Sequence, residues 1–238
     1  MFCFYIEHPK ARILFDTGWH REMSPEGVYD AAAQRRSLGS RLLYLVNQGQ
    51  VGPGQSVTEQ LRSLQVSPTD LDYVLLSHLD CDHANGLRQV AQAKRILVSK
   101  EELAATRQVS LSNRIRYRSC WWAGVDLQTF TWNGTEGPVG HSCDLLGDDS
   151  VVLVHIPGHS EGLCALKLSN PEGRYVLLYS DGGYAKRSWQ ELIVSGVAVD
   201  RRLQHRSLEW IARMSRSPDC VESLASHDPD LNPGVLEF

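Results

Sequence analysis

The chain has 238 residues, 42% of them apolar and 22% charged, with a formal net charge of −4 and a pI near 6.1. That length suffices for one large domain with a sizeable core, and the acidic balance lacks the electrostatic footprint of a nucleic-acid binder. No apolar run reaches the roughly 18 residues of a membrane span, the N-terminal "MFCFYIEHPKAR" is apolar too briefly for a signal peptide, and the six cysteines are scattered without a C-x-x-C pair. A single domain over residues 1–238 is therefore predicted, without disulfides, cytoplasmic, and with neither nucleic acid nor membrane as partner.

In chain order, "CFYIE" and "RILFD" predict two short strands around the turn "HPK", the second ending at Asp16-Thr17-Gly18. Residues 19–55 show little periodicity beyond "RLLYLV", and "GQVGPGQ" is loop chemistry, so a long surface excursion is expected there. Ser56-Val57-Thr58-Glu59 is a capping box opening a helix whose Val57, Leu61 and Leu64 share one face. "LDYVLLS" has the length of a buried strand, "NGLRQVAQA" reads as a short helix, "RILVS" as a strand and "KEELAATRQ" as a helix start. From Asn113 to Thr131 basic and aromatic residues interleave, among them Arg114, Arg116, Tyr117, Arg118, Trp121 and Trp122; this fits a partly exposed strand or loop, or a wall facing substrate. "SVVLVH", "LCALKLS", "YVLLYS" and "CVESLAS" predict further strands, and residues 201–214 an amphipathic helix through Leu203, Leu208, Ile211 and Met214.

Ligand-type residues stand at four strand ends: His78, Asp80, Asp82 and His83 in "SHLDCDHANG", His159 in "PGHSEG", Asp181 in "YSDGG" and His227 in "ASHDPD". A divalent metal needs several donors converging on one point. In an extended strand 78, 80 and 82 would share a face and His83 would point away, so a sharp turn is predicted, supported by Asn85 and Gly86. Cys81 should face the core. His155 is expected on the opposite strand face or buried with a partner, His8, His20, His141 and His205 at the surface, and Ser160 and Glu161 in backbone hydrogen bonds of their turn. No G-x-S-x-G elbow or phosphate-binding glycine loop is present.

This pattern resembles the metallo-β-lactamase superfamily, whose members carry H-x-H-x-D-H, a His in a "GH[ST]xG" turn, a bridging Asp and a last His. Within it the chain is most similar to the acyl-homoserine lactonases, through "SDGGY", "GHS", "SHD" and "DTG". The resemblance implies an αββα sandwich of two mixed β-sheets flanked by helices. It also implies two divalent metal ions, zinc first, one held by His78, Asp80 and His159 and one by Asp82, His83 and His227, with Asp181 bridging. The implied chemistry is attack on a small-molecule lactone or related ester by a hydroxide shared between the ions. Tyr184 would donate to the oxyanion, Asp82 shuttle a proton to the leaving alkoxide, and Asp16 orient ligands or their turn. A homodimer is compatible with it.

Asp80 departs from the family pattern, replacing its second histidine with a hard, negatively charged oxygen donor. Such a donor favours iron or manganese relatively more and resembles the H-x-E-x-D-H of diiron flavoproteins of the same superfamily. A diiron redox protein therefore stands as an alternative, beside a thioesterase of the glyoxalase II type, which shares hydroxide attack on an uncharged acyl carbon, and a metal-stabilised binding protein. The chain also starts almost at its "DTG" strand, where the lactonases carry roughly another strand and loop; either a segment is omitted or the pocket is more open on that side.

Overall fold

A computed structural model describes residues 1–108 and 110–238. The chain divides into two compact units, one of Cys3–Val98 and Leu103–Thr129, the other of Met1–Phe2, Ser99–Glu102 and Phe130–Phe238.

The first unit is built on a sheet of order β1-β2-β3-β4-β5. Strands β1 (Phe4–His8) and β2 (Ala11–Phe15) form the hairpin expected around "HPK". β3 (Tyr73–Leu75) and β4 (Arg95–Ser99) run parallel to β2 and to each other, and β5 (Leu127–Phe130) follows. Val74, Leu75, Leu76 and Leu79 are all fully buried, which is why the apolar run reads as a strand, yet the ladder claims only three residues before the chain turns off.

The excursion over 19–55 holds more helix than its weak periodicity suggests. It contains α1 (Ala31–Leu38), capped by the Asp30 carboxylate and by Gly39 at φ +64°, and α2 (Arg41–Val46), capped by Ser40. Helices of eight and six residues are too short for an apolar repeat to show, and caps with a few anchors (Met23, Leu38, Leu43, Tyr44) hold them instead. Arg21 ties the segment together, donating to the carbonyls of Ser24 at 3.0 Å, Val51 at 2.6 Å and Gly52 at 2.7 Å and to the Glu59 carboxylate. Glu59 in turn accepts from the Ser56 N–H at 3.0 Å, so α3 (Val57–Ser63) begins at the predicted box. Val57 and Leu61 are buried, but Leu64 is exposed because the helix stops before that face repeats.

A single helical turn, α4 (Cys81–Ala84), then a 3-10 turn (Asn85–Val90), follow the motif strand. α5 (Lys100–Ala105) matches its prediction, whereas the basic and aromatic stretch is α6 (Leu111–Arg116), a 3-10 turn (Ser119–Trp121) and β5, not one strand or loop. Tyr117 and Trp121 pack into the core of this unit.

The second unit carries a sheet of order β10-β9-β8-β7-β6. β6 (Ser142–Asp144), β7 (Val151–His155), β8 (Cys164–Ser169) and β9 (Tyr175–Leu178) are antiparallel neighbours, and β10 (Cys220–Leu224) lies parallel to β9. Parallel neighbours need a long crossover; here α7 (Lys186–Gln190) and α8 (Arg201–Ser215) supply it, with α8 capped by Asp200 and burying Leu208, Trp210 and Ile211. Two mixed five-stranded sheets with flanking helices are the architecture the sequence predicts. Among the described residues no helix is long and apolar enough to cross a membrane.

Candidate metal centre

In the first unit the register pairs Phe15 with Leu75, so Asp16 and Ser77 emerge side by side from parallel strands. Asp16 sits at φ +63°, a left-handed conformation that Asp tolerates better than most residues, and is fully buried. Its Oδ1 accepts from the Ser77 N–H at 2.8 Å, and its Oδ2 from the Ser77 hydroxyl at 2.8 Å and from His83 Nδ1 at 2.8 Å. Because the Ser77 proton points at Asp16, the hydroxyl oxygen is the acceptor for His78 Nδ1 at 2.9 Å. Both rings thus carry a proton on Nδ1 and turn Nε2 to the other side, the orientation of metal-binding histidines.

The turn that brings these groups together is the predicted one. The Asp80 carbonyl accepts from the N–H groups of His83 and Ala84, at 3.0 and 2.9 Å, closing α4. Gly86 donates to the Gly18 carbonyl at 2.8 Å, and a Cβ at Gly86 would lie 2.5 Å from the Thr17 oxygen, so only glycine lets "DTG" and "HANG" touch. The His78 and His83 rings lie 4.1 Å apart, tilted at 48°; His78 Nε2 is 3.3 Å from Asp80 Oδ2, and His83 Nε2 is 3.9 Å from Asp82 Oδ2. Cys81 is buried as expected, its thiol pushed well up by burial and then by Asp82 and Asp80, which keeps it protonated.

In the second unit Asp181 faces two imidazoles with two oxygens: Oδ2 is 3.5 Å from His159 Nε2, and Oδ1 is 3.4 Å from His227 Nε2. Tyr184 stands edge-on to both rings, at 5.8 Å from His159 and 5.5 Å from His227, with its side chain in contact with solvent. His159 is held by a turn in which the buried Glu102 carboxylate accepts from the Ser160 hydroxyl at 2.7 Å and the Gly162 N–H at 2.9 Å. Ser160 therefore bonds a side chain, where a backbone partner was expected. Asp228 accepts from the Lys186 N–H at 2.8 Å, tying the end of β10 to the segment just after Tyr184. His155 is buried and lies 2.9 Å from the Glu161 carbonyl through Nε2, as befits a packed histidine. His141 is exposed but not solitary, since it stacks on His155 at 5.9 Å.

Donors about 2.0–2.1 Å from a tetrahedral ion stand roughly 3.3 Å apart. The His78–Asp80, His227–Asp181 and His159–Asp181 separations of 3.3, 3.4 and 3.5 Å match that spacing. The residues fit divalent metal, and in each unit the imidazoles and carboxylates form a partial ligand set.

A sequence model described as Metallo-beta-lactamase superfamily matches residues 2–176. The chain belongs to the metallo-β-lactamase superfamily. Among members of the superfamily, it is 26% identical over 184 residues to N-acyl homoserine lactonase AttM of Rhizobium radiobacter, covering 74% of this chain and 65% of that protein. A relative of the same name from Azorhizobium caulinodans is 24% identical over 240 residues, covering 97% of this chain and 82% of the relative. A solved N-acyl homoserine lactone hydrolase, with the product N-hexanoyl-L-homoserine bound at its catalytic metal center, superposes with a TM-score of 0.70 at 22% identity, covering 96% of this chain and 81% of that one. AidC, a dizinc quorum-quenching lactonase, superposes with a TM-score of 0.60 at 14% identity over 96% of this chain and 72% of its own. These superpositions establish the metallo-β-lactamase fold for the chain.

Proposed function

We propose that this metallo-β-lactamase superfamily protein is a metal-dependent hydrolase that opens a lactone ring, an acyl-homoserine lactone or a close relative, and that residues 1–238 act as one catalytic domain. The observation that carries this reading is the pairing of imidazole and carboxylate donors at ion-ligand spacing in each unit, on a chain whose relatives are N-acyl homoserine lactonases.

In this reading His78, Asp80 and His159 would hold one ion and Asp82, His83 and His227 the other, with Asp181 shared between them. Two divalent cations bound there would supply Lewis acidity toward a lactone carbonyl and toward a water at neutral pH. Asp16 and Ser77 keep the His83 and His78 protons on Nδ1, so that both Nε2 lone pairs point at the centre. Tyr184 donates its phenol O–H to the carbonyl oxygen as that atom gains charge. The Asp82 carboxylate receives a proton from the attacking water and returns it to the departing alkoxide, completing ring opening to a hydroxy acid. Four imidazoles among seven ligands and the dizinc relative in fold support zinc. Six cysteines without disulfides support a reducing, cytoplasmic setting.

The test is elemental analysis of protein purified without added metal, followed by a lactone and thioester panel with and without chelator. The expected result is about two ions per chain, as in two-metal hydrolases, with lactone turnover abolished by chelation and restored by zinc. Hydrolysis that survives complete metal removal would end this reading. Thioester turnover above lactone turnover would favour the thioesterase alternative.

A further inference from the structure

Asp80 is the donor that departs from the family pattern, and Arg116 grips it. The guanidinium spans the whole carboxylate, Nε donating to Oδ1 and Nη2 to Oδ2 at 2.6 Å. Both side chains are largely buried, 14% exposed for Arg116 and 16% for Asp80. The same Oδ2 lies 3.3 Å from His78 Nε2, so one carboxylate oxygen stands between a fixed cation and a metal-ligating ring. Arg116 is the last residue of α6, 36 positions along the chain from Asp80, so the pair is a tertiary feature and not a by-product of the motif turn.

A histidine in place of Asp80 would bring a neutral donor. Asp80 brings a negative charge and Arg116 an equal positive one, so the pair is neutral as a whole. Two differences from an imidazole nevertheless remain. The carboxylate shares its electron density with two N–H donors, and a permanent positive charge sits within a few ångströms of the place where an ion would bind. Even at the screening of bulk water a unit charge about 5 Å from a divalent cation changes its affinity roughly tenfold, and partly buried surroundings enlarge that factor.

We propose that Arg116 acts as a charge brake on the metal position that His78 and Asp80 serve, lowering its affinity so that this ion exchanges readily. The proposal rests on the two-ion reading above and adds a positioning residue, Arg116, that acts through Asp80.

The full chain and its Arg116→Gln and Arg116→Lys variants are loaded with zinc and dialysed against stepped chelator, and zinc per chain and melting temperature are read at each step. Arg116→Gln is expected to hold its more labile ion to chelator concentrations about tenfold or more above those that strip it from the parent chain. Arg116→Lys keeps the charge without the fork, and should release its ion close to the parent's concentration. The chelated Arg116→Gln chain should melt lower than the chelated parent, because Asp80 has lost its partner, and zinc should recover more of the melting temperature in the variant than in the parent. Arg116→Gln releasing zinc as early as the parent, or earlier, overturns the brake and leaves Arg116 a scaffold for Asp80. Arg116→Lys holding zinc as tightly as Arg116→Gln overturns it as well, since charge would then not be the cause. Absence of zinc from all three chains overturns the two-ion reading itself, and the brake with it.

Discussion

At the scale of single residues, Asp16 reaches furthest. It lies 67 positions from His83 and 61 from Ser77, and through them fixes the proton positions of two rings. Asp16→Asn keeps the size but puts an amide N–H where Oδ2 accepts, so it opposes both donors. Metal affinity is expected to fall about 10–100-fold with the fold intact, read by competition with a chromogenic chelator alongside circular dichroism. The ligand-type residues were legible in the sequence because each follows an apolar strand. Their supports were not: Ser77, Glu102, Arg116 and Asp228 are ordinary residue types, and only the tertiary fold brings Arg116 to Asp80 or Glu102 to Ser160. Glu102 in particular sits in "KEEL", which reads only as a helix start, yet it is fully buried under the His159 turn.

Among the elements, the stretch from α1 to α3 depends most on one ion pair. The Arg21 guanidinium holds the Glu59 carboxyl down at about 2 from an ordinary value of 4.5, against burial, which pushes it up. A folded-state value below the unfolded one means that the stabilisation is complete above about pH 4.5 and is lost as the pH falls toward 2. Glu59 is 30% exposed, so after solvent screening the contribution is about 1 kcal/mol. Glu59→Gln should therefore be less stable than the parent by roughly that amount at neutral pH, with the gap closing through the acid range in urea midpoints. Strands and the long helix α8 could be predicted from alternation and amphipathic spacing. α1 could not, and α2 showed only as the short signal "RLLYLV", because capping by Asp30, Ser40 and Gly39 and the Arg21 contacts hold them where no apolar repeat runs long enough to define a helix.

For the whole molecule, ion binding and stability are one quantity, since a ligand that binds only the folded chain stabilises it by mass action. At a free zinc concentration a thousandfold above the dissociation constant the gain is about 4 kcal/mol. For a chain of this length that corresponds to a melting shift on the order of 10 °C. Calorimetry with zinc and then with excess chelator should show that difference; identical transitions would mean that the donor sets do not take up metal. The fold class was readable because the apolar strands and the ligand-type residues after them share one order along the chain. The division into two compact units was not, since the second draws on Ser99–Glu102 as well as on residues beyond Phe130, a pattern no composition shift marks.

The opposed donors also bear on how the polypeptide settles into shape. Crowding imidazole nitrogens and carboxylate oxygens to 3.3–3.5 Å of one another is a local cost to folding, which the Arg116 guanidinium offsets at Asp80. Natural sequences remove such conflicts almost everywhere, so the few that persist mark where selection on chemistry outweighed selection on folding. Here the conflict falls on strand ends surrounded by satisfied hydrogen bonds, with Asp16, Ser77 and Glu102 as the rigid frame. The scaffold keeps the crowding from relaxing, and so keeps the chain ready to capture ions.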